Sequence, residues 1–209
     1  MTQSRFNQST FMPGVRRHSA WQIAAWLLLV AVPVACGDST DPVPGDVVLC
    51  SPDPSGSAVF EPLPDRAPPA AVTTGTVPHR QIDPDIIPEV ITELHERVFD
   101  QPLVESREST IVTDATAIWI RAEVNLGRPE CIVSGREVAH IHEDGSVHGV
   151  VPHGRIPDAE SAGWIELHPF AGVQPGFEAY VLMFSPRSSE EVDVILDLIL
   201  EGVAFVTEG

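Results

Sequence analysis

The chain has 209 residues, of which 43% are hydrophobic and 20% are charged. This length fits one domain of ordinary size with appendages, and the hydrophobic share excludes a wholly disordered chain. Thirty Asp and Glu residues against twelve Arg give a formal net charge of −18. Because a surface of that sign repels phosphate backbones, we expect no nucleic-acid partner.

The first 35 residues have the pattern of an export signal. Arg5, Arg16 and Arg17 precede an apolar run over residues 20–35, which ends in small residues. A positive segment followed by an apolar segment and small residues is typical of a cleaved signal peptide. The run is shorter than the roughly 20 apolar residues that a membrane span needs. We therefore predict that residues 1–35 are a signal peptide that is removed.

Cys36 follows Ala35 directly, and this arrangement resembles the lipoprotein box of bacteria. The resemblance implies that the Cys36 thiol is acylated and that Cys36 becomes the new N-terminus. Several acyl chains hold a protein stably on a membrane surface. We expect a lipid-anchored protein of the cell envelope, on the extracytoplasmic side of a bacterial membrane.

Two further cysteines, Cys50 and Cys131, remain after acylation. An even pair in an oxidising compartment indicates one disulfide, although two unpaired buried thiols are also compatible with the sequence. Residues 36–77 are rich in Pro, Gly, Ser and Thr and are predicted to form a lipidated tether. Residues 78–209 are predicted to form the folded domain.

Regular hydrophobic patterns begin at Pro78 and predict seven elements. Residues 86–99 form a helix with Pro88 in its first turn, and residues 117–122 form a strand. Residues 137–142 and 146–151 form a β-hairpin around Gly145. A short helix over 157–162, a strand over 179–184 and a helix from the capping box at 188–191 to about Gly202 follow. The order α-β-β-β-α-β-α predicts an α+β domain in which helices pack on one face of a small, mostly antiparallel sheet with a central hairpin.

Histidines are concentrated in the hairpin. If residues 143–145 form a three-residue loop, His142 lies opposite Ser146, and His140 lies opposite His148. Because side chains alternate along a strand, His140, His142 and His148 then share one face of the sheet. A two-residue turn would instead place His148 on the other face. His168 follows one short helix later and is expected to reach the same patch.

Three segments together resemble the luciferase-like domain of fungal luciferases and of many bacterial proteins. They are residues 136–142 (REVAHIH) with 144–148 (DGSVH), residues 163–169 (GWIELHP), and residues 185–187 (SPR) before an acidic helix. The similarity extends over about 78–209. It implies an enzyme that joins O₂ to a small enolic or phenolic substrate without a metal or organic cofactor.

Histidine chemistry is compatible with that implied reaction. Cofactor-free oxygenation begins with deprotonation of the substrate, and imidazole is the natural base near neutral pH. The candidate catalytic residues are His140, His142, His148 and His168, with Glu137 or Glu166 as a carboxylate that fixes a tautomer. The candidate substrate contacts are Trp164, Ser146 and Arg187. Trp164 also fits a core position, and Arg187 also fits an ion-pair partner of Glu190 and Glu191.

Other functions remain open from the sequence. The histidines also fit a non-catalytic module that binds a small molecule or serves as an envelope scaffold. Three imidazoles are, in addition, the ligand set of catalytic zinc or copper, which would make a metal-dependent enzyme. A serine hydrolase with Ser146 as nucleophile is a further alternative, but the Gly-x-Ser-x-Gly turn that is usual in such enzymes does not surround Ser146. We expect His140, His142, His148 and His168 to form one solvent-accessible cluster on one side of the sheet, because burial of four imidazoles without partners would be costly.

Overall fold

A computed structural model describes residues 48–52, 60–82 and 84–208. The predicted signal peptide, the predicted acylation site Cys36 and residues 37–47 of the predicted tether lie outside the described residues. Export and acylation therefore stay predictions. Within the described residues, no helix has both the length and the apolar character needed to cross a membrane.

A six-stranded antiparallel sheet forms the centre of the fold, in the strand order β3-β4-β5-β6-β8-β7. Its strands are β3 (Val104–Glu108), β4 (Ala115–Ile120), β5 (Glu137–His142), β6 (Val147–Val150), β7 (Ile165–Leu167) and β8 (Tyr180–Met183). A separate two-stranded sheet contains β1 (Val72–Thr73) and β2 (Gln81–Ile82). The helices are α1 (Pro88–Phe99), α2 (Ile156–Ser161) and α3 (Ser189–Thr207), and a 3-10 turn covers Pro129–Cys131.

The predicted α+β class is confirmed, and each predicted element has a counterpart within a few residues. Pro88 occupies the first turn of α1, and Gly163 follows α2 with a φ of +81°. The Ser188 side chain accepts a hydrogen bond from the Glu191 N–H and caps α3. The sequence pattern missed β1, β2, β3 and β7. β3 is an edge strand that is mostly exposed and polar, so it lacks the alternation that marks a half-buried strand.

The helix α3 lies close against the sheet. α3 packs against β5, β6 and α1, and α1 also contacts β3. Gly202 allows the approach, because a Cβ built there would lie 2.0 Å from the backbone oxygen of Val150. The buried apolar side chains of α3 include Ile195, Leu198 and Ile199.

Residues 60–82 lie on the folded domain. The Trp164 indole N–H donates to the Pro64 carbonyl at 2.6 Å, and Arg66 donates to the Ser185 carbonyl at 2.7 Å. The Arg66 side chain is buried beside Glu191 and lies 5.7 Å from the centroid of the Trp164 ring. Residues 60–77 are thus part of the domain surface, in contrast to the open tether that we predicted for them.

The predicted disulfide between Cys50 and Cys131 is present. It joins residues 81 positions apart with a Cα–Cα distance of 4.6 Å, and both cysteines are buried. The disulfide consequently holds Cys50 and its neighbours against the end of the 3-10 turn.

Candidate functional site: a buried histidine cluster

The hairpin of β5 and β6 brings the three predicted histidines to one face of the sheet. His140 pairs with His148, and the His142 N–H donates to the Ser146 carbonyl at 2.9 Å. Gly145 closes the loop with a φ of +81°, the left-handed conformation that favours glycine. This geometry confirms the three-residue loop and the alternation that we derived from it.

A β-bulge places Glu137 beside His140. Ile118 on β4 pairs with Ala139, whereas the next residue, Trp119, pairs with Glu137, so Val138 is an extra residue in β5. Without it, alternation would place Glu137 and His140 on opposite faces. The bulge therefore turns the carboxylate toward the histidines.

Glu137 is fully buried and accepts four hydrogen bonds. Its Oε1 accepts from the Ser109 hydroxyl at 2.6 Å and lies 3.0 Å from Nδ1 of His140. Its Oε2 accepts from the N–H and the hydroxyl of Thr110, at 2.7 and 2.8 Å. Burial alone would raise the pKa of Glu137, but these bonds, with that from His140 foremost, outweigh it and hold the pKa below its ordinary value. Glu137 is therefore an ionised acceptor.

This acceptor fixes the tautomer of His140. Because a carboxylate has no hydrogen to give, Nδ1 of His140 carries the proton, and Nε2 of a neutral ring carries a lone pair. Nε2 of His140 is buried and has no hydrogen-bond partner among the described residues. His140 is only 1% exposed, so the lone pair faces the interior of the cluster.

A chain of hydrogen bonds joins three other histidines to a second carboxylate. Nε2 of His142 lies 2.9 Å from Nδ1 of His148, and Nε2 of His148 lies 3.3 Å from Nδ1 of His79. Nε2 of His79 lies 3.0 Å from Oε1 of Glu166, whose side chain is 40% exposed. The chain thus runs from the hairpin to the solvent-exposed side of β7.

The direction of these bonds follows from the carboxylate at the end. With neutral rings, His79 donates from Nε2 to Glu166, so its Nδ1 accepts from Nε2 of His148. Nδ1 of His148 then carries a lone pair and accepts from Nε2 of His142. This order leaves the other nitrogen of His142, Nδ1, with a lone pair at the outer end of the chain.

His168 joins the cluster from the loop after β7. Its ring centroid lies 5.4 Å from that of His148 and 5.3 Å from that of His79. Nδ1 of His168 accepts a hydrogen bond from the Phe170 N–H at 3.1 Å. Aromatic rings surround His168: its ring centroid lies 4.9 Å from that of the partly buried Phe177 and 5.7 Å from that of the buried Tyr180.

Burial and mutual repulsion keep several of these rings neutral. Burial, and then the neighbouring charge of His140, lower the pKa of His142 to about 4. Burial, followed by His79 and His140, lowers the pKa of His168 to about 4. The same causes place the pKa of His148 far below its ordinary value. At neutral pH these imidazoles are uncharged, so their free nitrogens can accept hydrogen bonds or bind metal ions but do not pair with anions.

Two adjacent surface clefts lead to His142. The larger has a volume of about 510 Å³, and both are lined by His142, Glu143 and Asp114. Asp114 has a φ of +61°, which is uncommon for a residue other than glycine. His142 is half-buried and is the most exposed of the three hairpin histidines. The clefts therefore meet the cluster at its outer histidine, beside acidic side chains.

Comparison with known families identifies the segment that carries most of this site. Residues 135–202 match the family model described as the luciferase domain. This segment is similar to the luciferase-domain family. The match covers about a third of the chain and confirms, over that segment, the resemblance predicted from the sequence. No curated protein and no solved structure matches the chain.

The folded domain brings together all four predicted histidines, but it buries most of them. His140, His148 and His168 are at most 9% exposed, so our expectation of an open cluster is wrong for these three. Burial of an imidazole without a hydrogen-bond partner would be costly. His140 instead bonds Glu137, His148 bonds two other imidazoles, and His168 accepts from the Phe170 N–H, which lowers the cost of burial.

The predicted substrate contacts lie in different surroundings. Ser146 is buried in the hairpin, where its hydroxyl donates to Oδ1 of Asp144 at 2.6 Å, and it lines the smaller cleft. Trp164 is 3% exposed and packs in the core beneath residues 60–66. Arg187 pairs with Glu191 rather than Glu190 and donates to the Ala67 carbonyl. Of the three, only Ser146 lies beside the clefts that reach His142.

His79 is the member of the cluster that our sequence reasoning missed. It lies 61 positions before His140 and outside the segment that matches the luciferase domain, and a single histidine after a Pro-rich stretch has no periodic signal. The similarity to the luciferase-like domain that begins at about residue 78 was the available clue. His79 is held in place because β1 pairs with β2 and because Thr73 donates to Oε1 of Glu166.

Proposed function

We propose that this protein is a lipid-anchored protein of the bacterial cell envelope whose luciferase domain oxidises a small enolic or phenolic substrate with O₂. One observation carries the proposal: a neutral, hydrogen-bonded chain of histidines ends at His142, which lines two clefts. A base of this kind is what the activation of such a substrate requires.

His142 is the proposed base. Its Nδ1 lone pair accepts the proton of an enol or phenol held in the cleft, and the substrate becomes an electron-rich anion. As Nδ1 gains this proton, Nε2 can pass its own proton to His148, which passes one to His79 and so to Glu166. Each transfer follows a hydrogen bond of 2.9 to 3.3 Å. The positive charge therefore need not remain in the buried cluster.

The anion then reacts with O₂. Transfer of electrons from the anion to O₂ and formation of a carbon–oxygen bond give a peroxide anion, which takes a proton back to form a hydroperoxide. Substrate and O₂ together account for every atom and electron of this product, so the step needs no external reductant. The smaller cleft has three carboxylates, Asp114, Glu143 and Asp144, against one guanidinium, Arg80. This net negative charge favours a substrate that arrives neutral rather than as an anion.

Oxygen uptake with a panel of hydroxypyrones and phenols tests this proposal. We expect uptake with at least one of them, and we expect His142→Gln to lower its rate by about 100-fold or more, as the loss of a general base does. His153→Gln is the matched control, because His153 packs against Phe205 outside the cluster. Equal rates in wild type and His142→Gln would refute the role of His142.

The same panel separates an enzyme from a binding module. A compound that raises the melting temperature without O₂ uptake would indicate a domain that binds small molecules but does not turn them over. Absence of both effects across the panel would count against the proposed substrate class.

The anchor has its own test. We expect the wild-type protein to partition into detergent and to carry acyl groups on Cys36, as mass spectrometry of the mature N-terminus measures. Cys36→Ser should leave a soluble or unprocessed precursor. Unchanged partitioning of this variant would contradict acylation at Cys36.

A further inference from the structure

We propose that His140, His142 and His148 bind one divalent first-row transition-metal ion. One ring nitrogen of each lies within 4.8 Å of one ring nitrogen of the other two. Three imidazoles on neighbouring strands leave a coordination position open, as in catalytic zinc sites. The family resemblance by itself implies no metal, so this inference stands on the geometry of the chain.

The unpartnered nitrogen of His140 is the first support. A buried lone pair without a hydrogen bond costs roughly 1–3 kcal/mol, and Nε2 of His140 is such an atom among the described residues. Its other nitrogen donates to Glu137. Metal-binding histidines generally have this arrangement, in which one nitrogen meets the ion and the other donates to a carboxylate.

His148 has the same arrangement, extended by one residue. Its Nε2 donates to His79, which donates to Glu166, so its Nδ1 presents a lone pair toward His142. His142 needs only to move its proton from Nε2 to Nδ1 to complete the set. The ion therefore binds without displacing a proton from either carboxylate-linked ring.

A second group of three histidines, His79, His148 and His168, is equally close, but its hydrogen bonds disfavour it. Nδ1 of His168 accepts from the Phe170 N–H, so the proton of the neutral His168 ring lies on Nε2. This leaves His168 no free lone pair for an ion. The first group is also the one that contains the half-buried His142 and so has access to the clefts.

The charge at the clefts favours a cation. Asp114 and Glu143 line both clefts, and the smaller one is also lined by Asp144 and by one cation, Arg80, so carboxylates outnumber cations in each cleft. Carboxylates at the mouth of a cleft raise the local concentration of positive ions. The histidines behind them are neutral nitrogen donors, which suit zinc, copper, cobalt or nickel better than calcium or magnesium.

A bound ion would also change how the proposed substrate is activated, and this step alone rests on the proposed function. The enol or phenol oxygen would occupy the open coordination position, and the cation would lower the pKa of its O–H. His142 would then hold the ion with Nε2 and would carry a proton on Nδ1. Deprotonation by His142 and coordination by His142 are therefore alternative states of one ring.

Metal binding can be measured without any substrate. The full chain in detergent is stripped with a chelator and titrated with Zn²⁺ by calorimetry and with Co²⁺ by absorption. We expect one ion per chain and the visible bands of four-coordinate Co²⁺. His140→Ala should weaken Zn²⁺ binding by at least about 100-fold, and Glu137→Gln by about 10- to 100-fold.

His168→Ala is the matched control, since it removes a histidine of the same cluster that lies outside the proposed ligand set. We expect its affinity for Zn²⁺ to stay within about threefold of wild type. Absence of the Co²⁺ bands in wild type, or an equal loss of affinity in His168→Ala and His140→Ala, would overturn the proposal. The Co²⁺ spectrum of the wild-type protein tests the proposal without any substitution, so this test does not depend on whether the variants fold. Oxygen uptake without metal binding would overturn this inference and leave the proposed function standing.

Discussion

Acid should destabilise the metal-free protein through the neutral histidines. The pKa of His142 is about 4 in the folded protein and about 6.5 in an unfolded chain. A group whose pKa is lowered by folding stabilises the protein above the unfolded pKa, and this contribution is lost as the pH falls toward the folded value. Between pH 7.5 and pH 5, His142 alone should account for a loss of about 2 kcal/mol in the free energy of unfolding.

Urea titration of chelator-treated wild type and His142→Asn at both pH values measures this loss. Wild type should lose about 2 kcal/mol more than the variant on going from pH 7.5 to pH 5. Glu137 and Glu191, whose pKa values are lowered from 4.5, lose their contributions only at lower pH and do not mask the effect. If the stability difference between the two proteins is the same at both pH values, the assignment of His142 as a buried neutral base is wrong.

Replacing Cys50 and Cys131 by Ala should lower the free energy of unfolding by about 4–5 kcal/mol, and a urea titration that finds less than about 1 kcal/mol would contradict a native disulfide. Gly149→Ala places a Cβ 2.6 Å from that of Ala139 and should cost about 1–3 kcal/mol. Adding Ala139→Gly should recover part of this cost in a double-mutant cycle. Trp164→Phe loses the bond to residue 64, so amide exchange should quicken in residues 60–66, and unchanged exchange would show that this bond does not hold them.

The histidine arrangement was predictable where it depends on local rules. Alternation along β5 and β6 and the left-handed Gly145 suffice to place His140, His142 and His148 on one face. These rules act over a few residues and need no knowledge of the rest of the fold.

The environment of the cluster was not predictable in the same way. The bulge at Val138, which brings Glu137 beside His140, depends on pairing with β4, and no residue of β5 marks it in the sequence. His79 arrives from a segment without periodicity. The burial of the histidine cluster was also predicted wrongly. The partners that lower the free-energy cost of this burial are Glu137, Glu166 and the other imidazoles, and tertiary contacts bring them together.

The disulfide has a mechanical consequence for the cluster. A pull on the chain before Cys50 passes through the covalent bond into Cys131, because the backbone path between two cysteines 81 positions apart is far longer than the bridge. The covalent bond thus bypasses the backbone between the two cysteines, which includes His79, Ser109 and Thr110. Tension from the N-terminal side is not carried along the backbone of these three residues, whereas the four histidines of the cluster that follow Cys131 are not bypassed.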